Sequence, residues 1–198
     1  MSAETLSYRE TGSPKESELP EGMRYVHELT DKHITQLIAY STDPDDEGVQ
    51  GNTLDAIRFK DRDAVLEWKE KGRSTTIITN DEGDLLALSW FGAKDMYLDE
   101  YETNAAFNPQ QYGATFAVRI YGEARGKRLS GKIIQKAEEQ FQTTQQYKEL
   151  VEQGQAHPWL EVSADNIAGV KSYDRLGYRS VTEPNQDNKI LMVRPPLQ

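Results

Sequence analysis

The chain has 198 residues, of which 36% are hydrophobic and 28% charged, with a formal net charge of −10 and no cysteine. That length suits one domain burying roughly 70% of the surface its unfolded form exposes. The composition excludes disulfides, thiolate zinc sites and a cysteine nucleophile. The acidity argues against nucleic acid, whose binding needs a basic face. No apolar run reaches the roughly 20 residues that span a bilayer, and the first residues carry no apolar leader core. The expectation is a cytoplasmic protein with no membrane partner.

In chain order, residues 1–22 are rich in Ser, Glu, Pro, Gly and Thr and read as a disordered tail, with the folded domain over 23–198. Met23, Tyr25, His27 and Leu29 alternate as in a strand. Thr30 or Asp31 then caps a helix with Ile34, Leu37 and Ile38 on one face. An acidic loop, Asp43 to Gly48, and a polar linker to about Asp61 lead to a second helix over Asp63 to Lys71. Thr75–Thr79 and Leu85–Phe91 form a hairpin around Asn80–Asp84. A loop of roughly twenty residues, Gly92 to Gly113, carries an aromatic and acidic cluster of Tyr97, Asp99, Glu100, Tyr101 and Glu102.

The most informative stretch runs from Ala114 to Phe141. Phe116, Val118 and Ile120 suit a strand, Gly122 breaks it, and a basic turn follows: Arg125, Gly126, Lys127, Arg128, Leu129, Ser130, Gly131. Ile133, Ile134, Ala137 and Phe141 then recur at helical spacing. A strand entering a helix through such a turn aims unpaired N–H groups and the helix dipole at one point, which suits a phosphate. Thr143 to His157 reads as a polar helical continuation ending at Gly154. Next come a short strand at Trp159–Ser163, a helix over Asp165–Leu176 capped by Gly177, and closing strands at Tyr178–Thr182 and Lys189–Val193. The expected order is strand, two helices, three strands, helix, strand, helix, two strands. This is a mixed α/β (α+β) domain with a largely antiparallel sheet.

The stretch WLEVSADNIAGVKSYDRLGY, taken with the basic turn, resembles the GNAT superfamily of N-acetyltransferases. Its pieces are Leu160-Glu161-Val162, then Asn166 with Ala168, then Tyr173 with Leu176-Gly177-Tyr178. The order and spacing of elements from Met23 to Val193 match that fold. The turn aligns with the family's acyl-CoA loop, Gln/Arg-x-x-Gly-x-Gly/Ala, but Arg128 and Ser130 replace its last two small residues. Glycines there let the backbone approach a pyrophosphate.

The resemblance implies an N-acyltransferase that takes acetyl-CoA as donor and a small-molecule or peptide amine as acceptor, by direct transfer in a ternary complex. It implies that residues 125–131 hold the pyrophosphate, the backbone at Ile120 pairs with pantetheine, and Asn166 steadies the cofactor arm. Tyr173 would protonate the leaving thiolate, a task its phenol suits, while the sheet opens between the Ile120 and Leu160–Val162 strands. Glu161 is a candidate general base. The acidic clusters at Asp43–Glu47 and Asp99–Glu102 would draw a cationic amine. The rival reading, prompted by Arg128, is a catalytically degenerate GNAT-fold binding module.

Overall fold

The computed structural model describes residues 18–51 and 53–195. In chain order its elements are β1 (Arg24–Val26), α1 (Asp31–Thr42), α2 (Glu47–Gln50), α3 (Asp55–Arg58), α4 (Arg62–Glu70), β2 (Ser74–Thr79) and β3 (Leu85–Ala93). There follow β4 (Ala114–Ile120), α5 (Leu129–Gln142), α6 (Gln145–Glu152), β5 (Pro158–Ser163), α7 (Ile167–Arg175), β6 (Arg179–Ser180) and β7 (Lys189–Val193). The sheet order is β1-β2-β3-β4-β5-β7-β6, antiparallel except for β4 against β5.

Two differences from the expected order have local causes. The polar linker before Asp61 contains α2 and α3, each a single turn too short to show a 3.6-residue period. The polar continuation after α5 is a separate helix, because Thr144 accepts a hydrogen bond from the Tyr147 N–H and caps α6 afresh. Of the expected tail, residues 1–17 lie outside the described residues. Leu19 packs partly buried beside Met23 and Tyr25.

At α1 the cap falls on Thr30, whose hydroxyl accepts from His33 N while the His33 ring accepts from Thr30 N. A histidine thus takes the place glutamate usually fills in a capping box.

Alternation along the strands sends side chains to two faces. Under α5, Phe91, Phe116 and Phe141 stack, with ring centroids 4.8 and 5.7 Å apart. On the opposite face, α1 and α4 bury Leu37, Val65 and Trp68 against Ile77, Leu88 and Trp90. The segment after β3 is no open loop. Tyr97, Tyr101, Phe107 and Tyr112 pack over Trp159 and Leu191, closing the far end of the sheet.

Candidate active site

The site begins where two strands part. β4 pairs with β3 along its whole length, from Ala114 opposite Ala93 to Ile120 opposite Ala87. On its other edge it meets β5 only through Ala114 with Pro158 and Thr115 with Trp159. Beyond Thr115 the two strands share no register, so β4 has a free backbone edge facing a wedge. Two backbone carbonyls of this half of β4 are met by arginines: Arg119 donates to Val118 O at 2.7 Å and Arg125 Nε to Ile120 O at 3.0 Å. A carbonyl has a second lone pair, so both still have acceptor capacity.

Aromatic bulk lines the wedge. Tyr173 of α7 meets Phe116 edge-on at 5.9 Å, and Tyr178 lies 5.4 Å from the same ring. Burial raises the pKa of the Tyr173 phenol, and nearby Arg119 pulls it partly back. Among the described residues the Tyr173 hydroxyl has no hydrogen-bond partner, so its proton is uncommitted.

At the mouth of the wedge the basic turn leads into α5. Gly126 has φ +78°, and a Cβ there would meet no atom within 4 Å, so the turn needs glycine for its backbone and leaves open space above it. Arg128, at the N-cap of α5, has φ 57° and ψ 35°, the left-handed region, with no side-chain capping bond. Glycine enters this region at little cost, whereas here an arginine occupies it. The strain is of the order of 1–2 kcal/mol, partly offset by glycine's greater freedom when unfolded. Arg128→Gly should accordingly raise Tm by a degree or more; an unchanged or lower Tm would mean that the arginine side chain compensates its own backbone.

The first-turn N–H groups of α5 have no intrahelical acceptor, and no acidic residue occupies that turn. Lys127 and Arg128 are exposed and form no ion pair among the described residues. Arg125 differs: its guanidinium is paired with Asp46 in the segment before α2. Burial alone would raise the Asp46 pKa, but Arg125 and two backbone N–H groups hold it below its ordinary value. Leu129 is fully buried beneath the turn. Ser130 Oγ lies 2.9 Å from Ser172 Oγ, which ties the start of α5 to α7. A Cβ on Gly131 would only touch Leu176 at 3.6 Å. Asn166 is the N-cap of α7, its Oδ1 accepting from Gly169 N at 2.9 Å, so its amide nitrogen is the part left for a ligand.

Glu161 lies away from this group. It points to the face covered by the segment after β3, where it accepts hydrogen bonds from the Tyr97 and Tyr101 hydroxyls and pairs with Lys189 at 3.1 Å. Burial would raise its pKa, but these three partners outweigh it and hold the carboxyl below its ordinary value. A depressed carboxyl contributes stability that is complete above its unfolded pKa and is lost as pH falls through the folded one. Glu161→Gln should therefore flatten the decline in Tm below about pH 4.5, and an unchanged acid limb would contradict the coupling.

Sequence reasoning missed Asp55, which it left in a linker, and Arg119. Asp55 is 1% exposed and receives Arg119 Nε on Oδ2 and Nη2, at 3.2 Å, on Oδ1; Arg58 reaches the same Oδ1 at 3.0 Å. The only signal was a charge, Arg119, between apolar residues inside a strand, which demands a buried partner somewhere.

This fold has counterparts among solved structures. A spermidine N-acetyltransferase chimera from Vibrio cholerae and hSSAT superposes with TM-score 0.56 at 12% identity, over 87% of this chain and 93% of that one. A ribosomal-protein-alanine N-acetyltransferase from Brucella melitensis gives 0.55 at 16%, over 86% and 98%. A Salmonella typhimurium protein assigned to the acetyltransferases, held with its cofactor acetyl-CoA, gives 0.52 at 14%, over 87% and 92%. No protein-family model matches the sequence, and no curated protein matches it. The chain has the GNAT acetyltransferase fold. At these identities the likeness is one of fold, and activity rests on the chain's own residues. No described helix is long and apolar enough to cross a membrane.

Proposed function

We propose that the protein is an acyl-CoA-dependent N-acyltransferase that moves acetyl from acetyl-CoA to an amine of a small molecule or peptide in a ternary complex. The observation that carries this reading is the wedge: β4 leaves β5 after two residue pairs, with an uncommitted Tyr173 hydroxyl beside it and an uncapped basic helix start at its mouth. A donor's pyrophosphate would take the free N–H groups of Leu129, Ser130 and Gly131 with the charges of Lys127 and Arg128. Arg125 would brace the turn through Asp46 and Ile120 rather than meet the phosphate itself. Pantetheine amides would lie along the free edge of β4 around Ile120, as an added strand does, with the amide of Asn166 on the other wall.

In the transfer the amine nitrogen bonds to the acyl carbon, the carbon–sulfur bond breaks, and the Tyr173 hydroxyl gives its proton to the departing thiolate. The displaced amine proton leaves to water, and Tyr173 is reprotonated from solvent. Burial keeps the phenol protonated until needed. Glu161 is ionised at neutral pH, but a carboxyl held below its ordinary value is a weak base. We give it the task of fastening the Tyr97–Tyr101 segment, with water as the proton acceptor.

The alternative, a binding module without catalysis, draws on the strained Arg128 and the engaged Arg125. Thiol release from acetyl-CoA across a panel of amines separates the two. The enzyme reading requires release above the hydrolysis background with at least one amine, and coenzyme A binding without release from any would favour the module. A cytoplasmic setting belongs to this proposal as well.

A further inference from the structure

Across the sheet from α5 lies a line of arginines that nothing in the transfer chemistry above requires. Arg119, on β4, is an electrostatic neighbour of Tyr173 and is gripped by Asp55. Asp55 also takes Arg58. Arg58 lies over the Phe59 ring at 5.9 Å, and Phe59 meets Trp68 edge-on at 5.0 Å. Arg73 lies over Trp68 at 5.4 Å and Trp90 at 4.8 Å. Two guanidiniums thus face one carboxylate, and Arg73 is near enough to Arg58 to be repelled by its charge, in a protein whose net charge is −10.

The donors of Arg58 and Arg73 are underused. Arg119 spends Nε and both terminal nitrogens on Asp55 and Val118 O. Arg58 donates only through Nη1, to Asp55, and Arg73 only through Nη1, to Trp68 O at 3.1 Å. Among the described residues the remaining N–H groups of Arg58 and Arg73 have no protein acceptor. The Arg58 side chain is 28% exposed, open enough to be reached by a ligand. Burial, and for Arg73 the repulsion of Arg58, lowers the pKa of both, a cost that a shared anion would relieve. On α3 and just before it, Ile57 and Leu54 are 72% and 61% exposed, apolar surface on the same short segment that carries Arg58.

We propose that Arg58 and Arg73 bind a carboxylate of the acceptor, so that the acceptor class is an amino acid or short peptide with an apolar side chain resting on Leu54 and Ile57. Guanidinium forks match a carboxylate in a planar, charge-assisted geometry. Arg119 and Asp55 set the position of Arg58 and join it to the Tyr173 end of the wedge. The cationic acceptor suggested by the sequence loses one of its supports here, because Asp46 is already neutralised by Arg125. The proposal rests on the transferase reading for the amine and stands alone for the anion.

The test uses matched acceptors. With acetyl-CoA, kcat/KM for L-leucine should exceed that for L-leucinamide by about tenfold or more, and spermidine should be poorer than leucine. Arg73→Gln and, separately, Arg58→Gln should erase the leucine preference through KM while coenzyme A affinity stays unchanged. A loss of one charge-assisted pair corresponds to roughly 10- to 100-fold. Equal or better use of leucinamide or spermidine would overturn the proposal, as would variants that keep the preference. Calorimetry with N-acetyl-L-leucine and its amide reads the anion site without turnover. Carboxylate-dependent binding lost in both variants supports it, and no binding to the native protein overturns it even if thiol is released. Absence of coenzyme A binding would instead count against the transferase reading.

Discussion

Tyr173→Phe should lower kcat by about 100-fold or more while leaving coenzyme A affinity within a factor of two. The substitution removes one oxygen and keeps the ring that packs on Phe116 and Tyr178, so the wedge should hold its shape. On the proposed mechanism, what is lost is the proton given to the departing sulfur. Without it the thiolate must leave unassisted or wait for water, and the loss falls on the transition state rather than on binding. Because burial raises the phenol's pKa, the alkaline limb of the wild-type kcat profile should lie above the ordinary tyrosine range, and that limb should vanish in the variant. An unchanged kcat would remove Tyr173 from the chemistry and leave it a packing residue.

The second large effect is on stability. Asp55→Ala should cost about 3–5 kcal/mol, the usual result of stranding a buried charge, and lower Tm by roughly 6–20 °C for a chain of this size. The Arg119 side chain is 18% exposed and Asp55 1%, so the guanidinium left behind could not easily rehydrate. Burial pulls the Arg119 pKa down, and Asp55 more than restores it, which marks how far the pair depends on itself. Replacing Asp55 and both guanidiniums it holds with apolar residues, Asp55→Leu with Arg119→Met and Arg58→Met, should recover most of the loss, since the penalty comes from an orphaned charge rather than from a missing bond. Thermal unfolding checks this. A single variant within 2 °C of wild type would show that water reaches Arg119 freely.

These two residues also show where sequence was a sufficient guide and where it was not. Tyr173 lay within a readable pattern: a short strand, an Asn, a helix with a Tyr near its end, and Gly177 at φ +85° closing it. The strand at Lys189–Val193 and the start of α5 followed from apolar alternation and helical period in the same way. Asp55 and Arg119 are 64 positions apart, and no local rule pairs them. Helix α3, which presents Asp55, has only four residues, so its hydrophobic pattern carries no period. Likewise the aromatic–acidic run after β3 looked like a loop because its order comes from tertiary contacts, with Glu161 gathering two tyrosines from afar. The Arg128 question was legible as an anomaly. Its meaning, a non-glycine residue in a left-handed backbone, needed the structure.

That anomaly sits on the central claim, that the basic start of α5 and the free edge of β4 hold an acyl-CoA. Isothermal calorimetry with coenzyme A tests it most directly, using the native chain and the Lys127→Gln, Arg128→Gln double variant. The account predicts one coenzyme A per chain, bound at least about tenfold more weakly by the double variant through lost charge-assisted contacts. No heat of binding to the native protein, or equal affinity in both, would contradict it.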